Sequence, residues 1–499
     1  MKKILLSSVL VLFFFSSASA QEKIFETKIS AFPITGSGAN KETAVYAGTK
    51  NFNVVQLTTG KMILDKTYKD AGVSVSKVTD AYVNDDLSKL VLCDGTTVSC
   101  VDTKTGTKTW ETKSFTELDN SSSALMIFGN YVLVTDKKGK ENFSLTCHNI
   151  ADGKELWSLT GEKNRIGTGD LYFIPSFTSL GVFTGKTGQF RIVELATGKT
   201  ASTFTIEGSP IYSLLDEESG TIYVHHRVAE DNSYVSAISM KSNKLIWKTK
   251  SANKSPQTPM TMNTDIITYY AKVRSYDDKV LLITEGLEAF DTATGKLVFN
   301  VPFVPYYEWG VGHYTNGIFE PVITEDGILI ADRTSKDMYI RMVDKNSGRQ
   351  IWSTDKLKDM DSAPVAVVSG ENAVIQFGGL NYFEVMNNTG IGKLLKPFTI
   401  MSFDLKTGKN AWTLESKKDF YYISNSNEKV MIVGTKEFQS LDPKTGAVLA
   451  TEKNPFSESY FMTKFDLSST HKLQKNVEFD FSARKFLLFE EGKLSLSTF

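Results

Sequence analysis

The sequence predicts an all-β protein built from repeats, most simply a single β-propeller of four-stranded antiparallel blades. A short phrase centred on a glycine recurs nine times down the chain, and successive copies stand 38 to 60 residues apart. Four antiparallel strands with their turns occupy roughly 40–45 residues, which is the period of a propeller blade. The segments between the copies are rich in β-branched and aromatic residues, and no sustained helical periodicity interrupts them.

Each copy of the phrase predicts the turn between two strands. In the copy at 404–412, Asp-Leu-Lys-Thr-Gly-Lys-Asn-Ala-Trp, the aspartate can bond the backbone of the turn and Gly408 can adopt a positive φ. Asn243 replaces the glycine in one copy, as expected because asparagine tolerates this conformation best among the other residues. The glycines of the other copies are Gly60, Gly106, Gly153, Gly198, Gly295, Gly348, Gly408 and Gly446.

An aromatic residue follows four positions after most of these turns. Five of the six tryptophans and one phenylalanine occupy that offset. A tryptophan buries roughly 150–250 Å², so a regularly placed one predicts a packing contact between neighbouring modules. The residues predicted to dock one blade on the next are Trp110, Trp157, Trp247, Phe299, Trp352 and Trp412.

The phrase resembles the repeat of the PQQ-like β-propeller family, with its tryptophan docking motif, over residues 51–450. The resemblance implies eight blades, with seven to nine compatible. Nine phrases then imply that one copy, the degenerate one at Gly60, shares a blade with C-terminal strands such as Lys485–Phe489. The family includes quinone-dependent dehydrogenases and also the scaffold propeller of the outer-membrane β-barrel assembly machinery, which binds no cofactor and works through protein contacts.

The sequence departs from both of these relatives. The dehydrogenases commonly carry two adjacent cysteines beside the quinone, whereas this chain has neither a Cys-Cys pair nor a Cys-x-x-Cys-His haem site. The assembly scaffold is usually a lipoprotein, whereas the first cysteine here is Cys93, far from the predicted cleavage site. The sequence therefore predicts a protein that is not lipid-anchored.

The N-terminus predicts export. Lys2 and Lys3 precede an apolar run and the small-residue stretch that ends at Ala20, so residues 1–20 have the pattern of a signal peptide and 21–499 form the propeller. Without the two leader lysines the net charge is −3. That balance argues against a nucleic-acid partner, which requires a basic face. No later segment has the roughly 20 apolar residues of a membrane span, so a periplasmic or secreted protein is expected.

The three cysteines leave two alternatives open. Cys93 and Cys100 bracket a tight turn and either form a disulfide across a hairpin or remain buried free thiols. Cys147 has no obvious partner and is expected to stay free.

A search for catalytic and metal-binding patterns yields none. His225 and His226 are adjacent, so on a strand they point to opposite faces and cannot hold one metal together. No Gly-x-Ser-x-Gly, zinc-binding histidine pair or phosphate-binding loop occurs. The turn aspartates lack the spacing of a calcium loop and are expected to cap turns.

One stretch breaks the repeat and is the candidate binding surface. Between Gly295 and Gly348 lies an aromatic loop that holds the only tryptophan outside the docking positions. Aromatic loops on a rigid scaffold are typical of recognition surfaces, although such a loop can also pack on its own blade. The candidate residues are Tyr306, Tyr307, Glu308, Trp309, His313 and Tyr314. An insertion at 378–397 is a second candidate.

These observations favour a non-catalytic, monomeric propeller that acts as a protein- or ligand-binding scaffold in the cell envelope, without a cofactor. Two alternatives stay open: a quinone-dependent dehydrogenase that binds PQQ with calcium, and a carbohydrate- or peptide-binding propeller.

Overall fold

The fold consists of antiparallel β-sheets, and the described residues contain no helix. The computed structural model describes residues 23–31, 34–40, 42–74, 78–113, 125–138, 142–160, 175–176, 179–184, 189–216, 218–229, 231–253, 272–284, 286–303, 306–308, 312–314, 321–333, 338–358, 365–381, 393–418, 420–426, 428–434, 436–453, 477–480, 485–490 and 492–498. Within them, strands that follow one another in the chain pair side by side to give sheets of four. This is the blade pattern of a β-propeller, so the predicted fold class is confirmed.

The nine sheets that contain a copy of the phrase are numbered here in chain order. Sheet 1 consists of β2 (Ile34–Ala39), β3 (Thr43–Gly48), β4 (Asn51–Gln56) and β5 (Met62–Thr67); sheet 2 of β6 (Asp80–Val83), β7 (Lys89–Cys93), β8 (Val98–Asp102) and β9 (Thr107–Thr112); sheet 3 of β10 (Leu125–Phe128), β11 (Tyr131–Lys138), β12 (Asn142–Asn149) and β13 (Glu155–Thr160). Sheet 4 consists of β14 (Pro175–Ser176), β15 (Ser179–Thr184), β16 (Gln189–Glu194) and β17 (Thr200–Thr205); sheet 5 of β18 (Ser209–Asp216), β19 (Thr221–Ala229), β20 (Asn232–Ser239) and β21 (Lys244–Lys250); sheet 6 of β22 (Lys272–Tyr276), β23 (Lys279–Ile283), β24 (Gly286–Asp291) and β25 (Leu297–Pro302). A two-stranded hairpin follows, β26 (Tyr306–Glu308) and β27 (Gly312–Tyr314). Sheet 7 consists of β28 (Val322–Ile323), β29 (Ile328–Arg333), β30 (Met338–Val343) and β31 (Gln350–Ser353); sheet 8 of β32 (Val365–Ser369), β33 (Asn372–Asn381), β34 (Lys393–Asp404) and β35 (Asn410–Ser416); sheet 9 of β36 (Phe420–Ser426), β37 (Lys429–Gly434), β38 (Glu437–Leu441) and β39 (Val448–Lys453).

A further sheet joins the two ends of the described chain. This terminal sheet consists of β40 (Val477–Asp480), β41 (Lys485–Glu490), β42 (Lys493–Thr498) and the N-terminal strand β1 (Lys23–Lys28), which pairs with β42. The described residues thus form ten four-stranded sheets, so the predicted count of eight blades is not confirmed. The Gly60 phrase has sheet 1 to itself and does not share one with the C-terminal strands, which corrects that expectation. The value of eight came from the family resemblance, whereas the phrase occurs nine times and the terminal sheet carries no copy of it.

The phrase forms the turn between the third and fourth strands of each of sheets 1 to 9. In eight copies the glycine has a φ between 65° and 71°, and Asn243 has a φ of 55°, as predicted for this position. The glycine N–H donates to the carbonyl four residues earlier, as from Gly408 to Asp404 at 2.8 Å. The Asp404 carboxylate accepts from the N–H and hydroxyl of Thr407 at 2.7 and 2.8 Å. These bonds hold the pKa of Asp404 below its usual value, consistent with a turn-capping role.

Aromatic side chains from one sheet lie against the glycine turn of the next. The indole of Trp157 in sheet 3 donates to the carbonyl of Leu195 in sheet 4 at 2.7 Å. A Cβ on Gly198 would stand 2.3 Å from Trp157 Cγ, so the close approach and the positive φ both require glycine. The same contact joins Trp110 to Gly153, Trp247 to Gly295, Phe299 to Gly348, Trp352 to Gly408, Trp412 to Gly446 and, from the terminal sheet, Phe25 to Gly60.

Among the described contacts that join sheets 1 to 9 in order, two lack an aromatic residue. Between sheets 1 and 2, Lys66 lies against Gly106 and donates to its carbonyl at 3.1 Å. Between sheets 4 and 5, the hydroxyl of Ser202 donates to the carbonyl of Asn243 at 2.9 Å. Polar side chains thus replace the packed ring at these two positions.

A β-bulge precedes every docking position. In each of the ten four-stranded sheets, the register between the third and fourth strands shifts by one residue there. In sheet 5, for example, Ala237 pairs with Trp247 and Ile238 pairs with Leu245, so Ile246 is the extra residue. A bulge bends the strand and re-aims its side chains, which lets the ring reach the neighbouring sheet.

Polar side chains fix the chain where it crosses from one sheet to the next. Asn53 in sheet 1 accepts from the N–H groups of Ser30 and Ala31, which connect the terminal sheet to sheet 1. Glu288 in sheet 6 accepts from the hydroxyl of Ser251 and from the N–H of Ala252, at 2.6 Å for the latter, just after sheet 5 ends. Both side chains are fully buried, so their bonds to the crossing chain satisfy groups that would otherwise be costly to bury.

All three cysteines are free and buried. Cys93 pairs with Val98 and Cys100 with Val91 on the neighbouring strands, so the two are not directly opposite each other. Burial raises the pKa of Cys100 and of Cys147 to about 12, which keeps both as unreactive thiols. Within the described segments, no helix has the length and hydropathy that crossing a bilayer would need.

Candidate protein-binding surface

The predicted aromatic loop contains a short hairpin outside the four-stranded sheets. Tyr306 pairs with Tyr314, Tyr307 with His313, and Glu308 with Gly312. The pairing brings these backbones together, whereas Trp309 lies outside the described residues. In chain order the hairpin comes after sheet 6 and before sheet 7, and it belongs to neither sheet. The insertion at 378–397 is described at both ends, where it lengthens β33 and β34.

The six predicted docking residues lie in the contacts between sheets. Five of them are at most 8% exposed, and Trp412 is half-buried. Each of the five indoles donates to a backbone carbonyl of the next sheet at 2.7 to 2.9 Å. Rings that are packed and bonded in this way are not available to a ligand.

Among the described residues, no group of three or more histidine, cysteine or acidic side chains could hold a metal ion. His225 and His226 point to opposite sides of β19, as predicted from their adjacency: His226 Nδ1 lies 2.6 Å from the carbonyl of Glu207, whereas His225 faces sheet 6. Burial lowers the pKa of His225 to about 3 and that of His226 to about 4. Neutral imidazoles in these positions belong to the contacts between sheets.

The exposed apolar side chains gather on the outer strands. Ten large hydrophobic residues of the described chain are exposed, and all but Val228 lie on the last strand of a sheet. We call these nine residues the aliphatic rim: Ile24, Ile63, Leu245, Ile246, Leu297, Val298, Ile351, Val448 and Leu449. Their exposed fractions range from 37% to 51%. The hydrophobic effect disfavours such exposure, and among the described residues it falls almost entirely on the outer strands.

The bulge explains why these side chains are exposed. Six members of the rim are the bulged residue itself, directly before the docking position: Ile24, Ile63, Ile246, Val298, Ile351 and Leu449. In sheet 6, Phe299 is 6% exposed and turned into the contact with sheet 7, while Val298 beside it is 41% exposed. The same distortion that buries the ring therefore presents an aliphatic side chain to solvent.

The rim can bind apolar side chains, and its edges are protected against unselective strand pairing. The outer strands are only four to seven residues long, and a bulge interrupts each one. Short strands and bulges are devices that keep sheet edges from aggregating. What remains for a partner is a series of separate aliphatic contacts, which suits recognition of a protein surface better than binding of a small polar molecule.

The rim was missed from the sequence, although a signal for it is present. The residue before the aromatic one is aliphatic in several copies, as in Leu-Ile-Trp at 245–247 and Leu-Val-Phe at 297–299. Strand alternation alone would place that residue and the aromatic residue on opposite faces. The alternation does not show that a bulge leaves the aliphatic residue exposed, because the bulge depends on pairing with the third strand.

Comparison with known proteins identifies one family. Residues 21–249 and 231–394 match the sequence profile of the family described as outer membrane protein assembly factor BamB. No curated protein matches the chain.

Several solved structures are similar to the chain. BamB from Moraxella catarrhalis is 10% identical, with a TM-score of 0.34, and the match covers 96% of this chain and 100% of that one. A europium-containing methanol dehydrogenase is 11% identical, with a TM-score of 0.35, over 88% of this chain and 81% of that one. A eukaryotic initiation factor is 13% identical, with a TM-score of 0.44, over 83% of this chain and 96% of that one.

Proposed function

The chain belongs to the family of the outer membrane protein assembly factor BamB, and from that premise we propose that it is a non-catalytic, protein-binding scaffold of the cell envelope. Its role is to hold a partner protein during the assembly of outer-membrane proteins. The family description supports the setting, and the leader-like sequence of residues 1–20 supports export.

The aliphatic rim is the observation that carries the proposal. Its residues lie on the last strands of six different sheets, so they are fixed in position by rigid modules before any partner arrives. A pre-ordered surface loses little conformational entropy on binding, which favours a scaffold. The described residues offer an apolar surface of this kind and no cluster of metal ligands.

Site-specific photocrosslinking tests where the partner binds. Benzoylphenylalanine replaces Val298 or Ile351 in the protein expressed in its own cells, and replaces Asn300 or Ser353 in the controls. Each control residue is exposed and lies two positions further along the same strand. The proposal predicts adducts with an outer-membrane assembly component at the two rim positions only. The proposal would be contradicted if the control positions gave adducts with the same partner in the same yield. It would also be contradicted if the rim positions gave no adducts.

A spectroscopic measurement tests the non-catalytic part of the proposal. The purified protein is incubated with pyrroloquinoline quinone and calcium, and its absorbance spectrum and its oxidation of alcohols and sugars are recorded. We expect no turnover. Turnover that vanishes in Tyr307→Ala would replace the scaffold with a dehydrogenase and would place the quinone at the hairpin.

A further inference from the structure

A fully buried histidine without a hydrogen-bond partner lies in the contact between sheets 5 and 6. His225 is on β19, opposite Tyr212 of β18 and Val235 of β20. Its face of sheet 5 packs on sheet 6 through an apolar cluster that includes Tyr223 and Val273. Neither ring nitrogen of His225 is hydrogen-bonded, although the ring is 0% exposed.

An imidazole in this state is unusual because a neutral ring always carries one N–H donor and one acceptor nitrogen. Burying either group without a partner costs free energy. An unsatisfied buried polar group in a native protein therefore calls for a ligand, an ion or a water that completes it. His226 shows the contrast on the same strand: its two nitrogens bond the Glu207 carbonyl at 2.6 Å and the Ser236 hydroxyl at 2.8 Å.

Beside the apolar residues of this contact, the described chain places two arginines and a tyrosine hydroxyl near His225. Arg227 is two residues along the same strand and so shares its face, and its charge, like burial, lowers the pKa of His225. Arg274 on β22 of sheet 6 donates from Nη1 to the Tyr212 hydroxyl at 3.2 Å and to the Val273 carbonyl at 3.1 Å. Both arginines and Tyr212 are half-buried, so the cluster extends from the buried ring to the surface.

We propose that Arg227, Arg274, Tyr212 and His225 form a binding site for an oxyanion, a carboxylate or a phosphate group, in the contact between sheets 5 and 6. Guanidinium groups bind both oxyanions through paired N–H donors. The anion also supplies the acceptor that the imidazole N–H lacks. The site lies on β18, β19 and β22, apart from the aliphatic rim, so it goes beyond the proposed function and can fail independently of it.

Histidine-selective NMR tests the site directly. The full mature chain is labelled with ¹⁵N-histidine, and the His225 ring signals are assigned by their loss in His225→Gln. Sodium phosphate or sodium acetate is then titrated at constant ionic strength, with sodium chloride as the reference. We expect a saturable shift of the His225 signals with at least one oxyanion and no such shift with chloride. Arg227→Met and Arg274→Met should each weaken the binding about tenfold, as for loss of one strong charge-assisted contact.

Arg349→Met is the matched control, because Arg349 lies in an exposed turn of sheet 7. This variant should bind the oxyanion with the same affinity as the wild type. Arg274→Lys keeps the charge and should bind at an intermediate strength, which covers the case in which the methionine variant is unstable. A short peptide rich in aspartate distinguishes a partner's side chain from a free anion: tighter binding of the peptide than of acetate indicates the former. Shifts that do not saturate, that chloride reproduces, or that persist unchanged in both arginine variants would overturn the site.

Discussion

Neighbouring residues on one outer strand have opposite roles in this protein. Trp247 is 8% exposed and lies against Gly295 of sheet 6, whereas Ile246 beside it is 44% exposed. The same division separates Phe299 from Val298 and Trp352 from Ile351. The contacts between sheets thus contribute to the stability of the fold. The exposed rim side chains bury little surface and contribute little to it. Substitutions at the two kinds of position should therefore affect different measurements.

The largest difference is expected between truncations within this pair. Trp247→Ala removes a buried ring and an indole hydrogen bond of 2.8 Å to Thr292, and should lower the free energy of unfolding by about 3–5 kcal/mol. Ile246→Ala removes a half-exposed side chain and should change it by less than about 1 kcal/mol. Chemical denaturation followed by tryptophan fluorescence and circular dichroism measures both. Equal losses would mean that the rim is part of the core.

Glycine substitutions separate the docking contact from the turn itself. Gly198→Ala and Gly370→Ala both force alanine into a positive φ, of 68° and 58°, which costs about 1–2 kcal/mol. Only at Gly198 would the new Cβ also meet a tryptophan, at 2.3 Å, whereas nothing lies within 4 Å of it at Gly370. Gly198→Ala should therefore be less stable than Gly370→Ala by a further 1–3 kcal/mol or so, the usual cost of overpacking. Thermal and urea unfolding of both variants measures the difference. Identical stabilities would show that the contact between Trp157 and Gly198 does not stabilise the fold.

The pH dependence of stability should come from the contacts between sheets. Burial lowers the pKa of His225 to about 3 and of His226 to about 4, from an ordinary value of 6.5. At a pH between the folded and unfolded pKa values of a histidine, the unfolded chain binds more protons than the folded chain. The stability that the neutral histidine contributes is therefore fully present above pH 6.5 and is lost as the pH falls below it. From pH 6.5 to 5 each histidine contributes a loss of about 2 kcal/mol.

His225→Leu should therefore remove about half of the loss that His225 and His226 contribute together, as measured by urea unfolding at several pH values. The turn aspartates also stabilise the fold through a lowered pKa, but they lose their charge only at lower pH. A slope between pH 6.5 and 5 that is the same in His225→Leu and the wild type would show that His225 is not neutral and buried in the folded state.

The sequence was informative wherever one residue type recurs at a fixed offset. The glycine turn and the aromatic residue four positions later indicated the repeated blade and the residues that join one sheet to the next. The terminal sheet was not predicted as a separate module because β1 and β42 are far apart in the chain and Phe25 docks on Gly60 without a phrase of its own. The buried anchors Asn53 and Glu288 were also missed, since an isolated polar residue in a strand does not indicate which distant backbone it bonds.

The proposed binding surface was harder to predict than the fold for a related reason. The aromatic loop at 306–314 attracted attention because it departs from the repeat. The aliphatic rim follows the repeat, and its exposure arises from a one-residue bulge that depends on pairing between two strands. Recurring residues are easily assigned to the core, although here one of each adjacent pair lies on the surface.

A double substitution on the rim tests whether these aliphatic side chains bind the partner. Cells that lack the gene receive the wild type, the rim variant or a control variant. The rim variant combines Val298→Asp with Ile351→Asp. The control combines Asn300→Asp with Ser353→Asp, which adds the same charges to exposed positions of the same strands. Surface changes of this kind should alter stability by less than about 0.5–1 kcal/mol, and the amount of each protein is measured alongside. We expect the control to restore normal levels of outer-membrane proteins, and the rim variant, at equal abundance, to fail to restore them. Full restoration by the rim variant, or equal failure of both, would contradict the assignment of the aliphatic rim as the protein-binding surface.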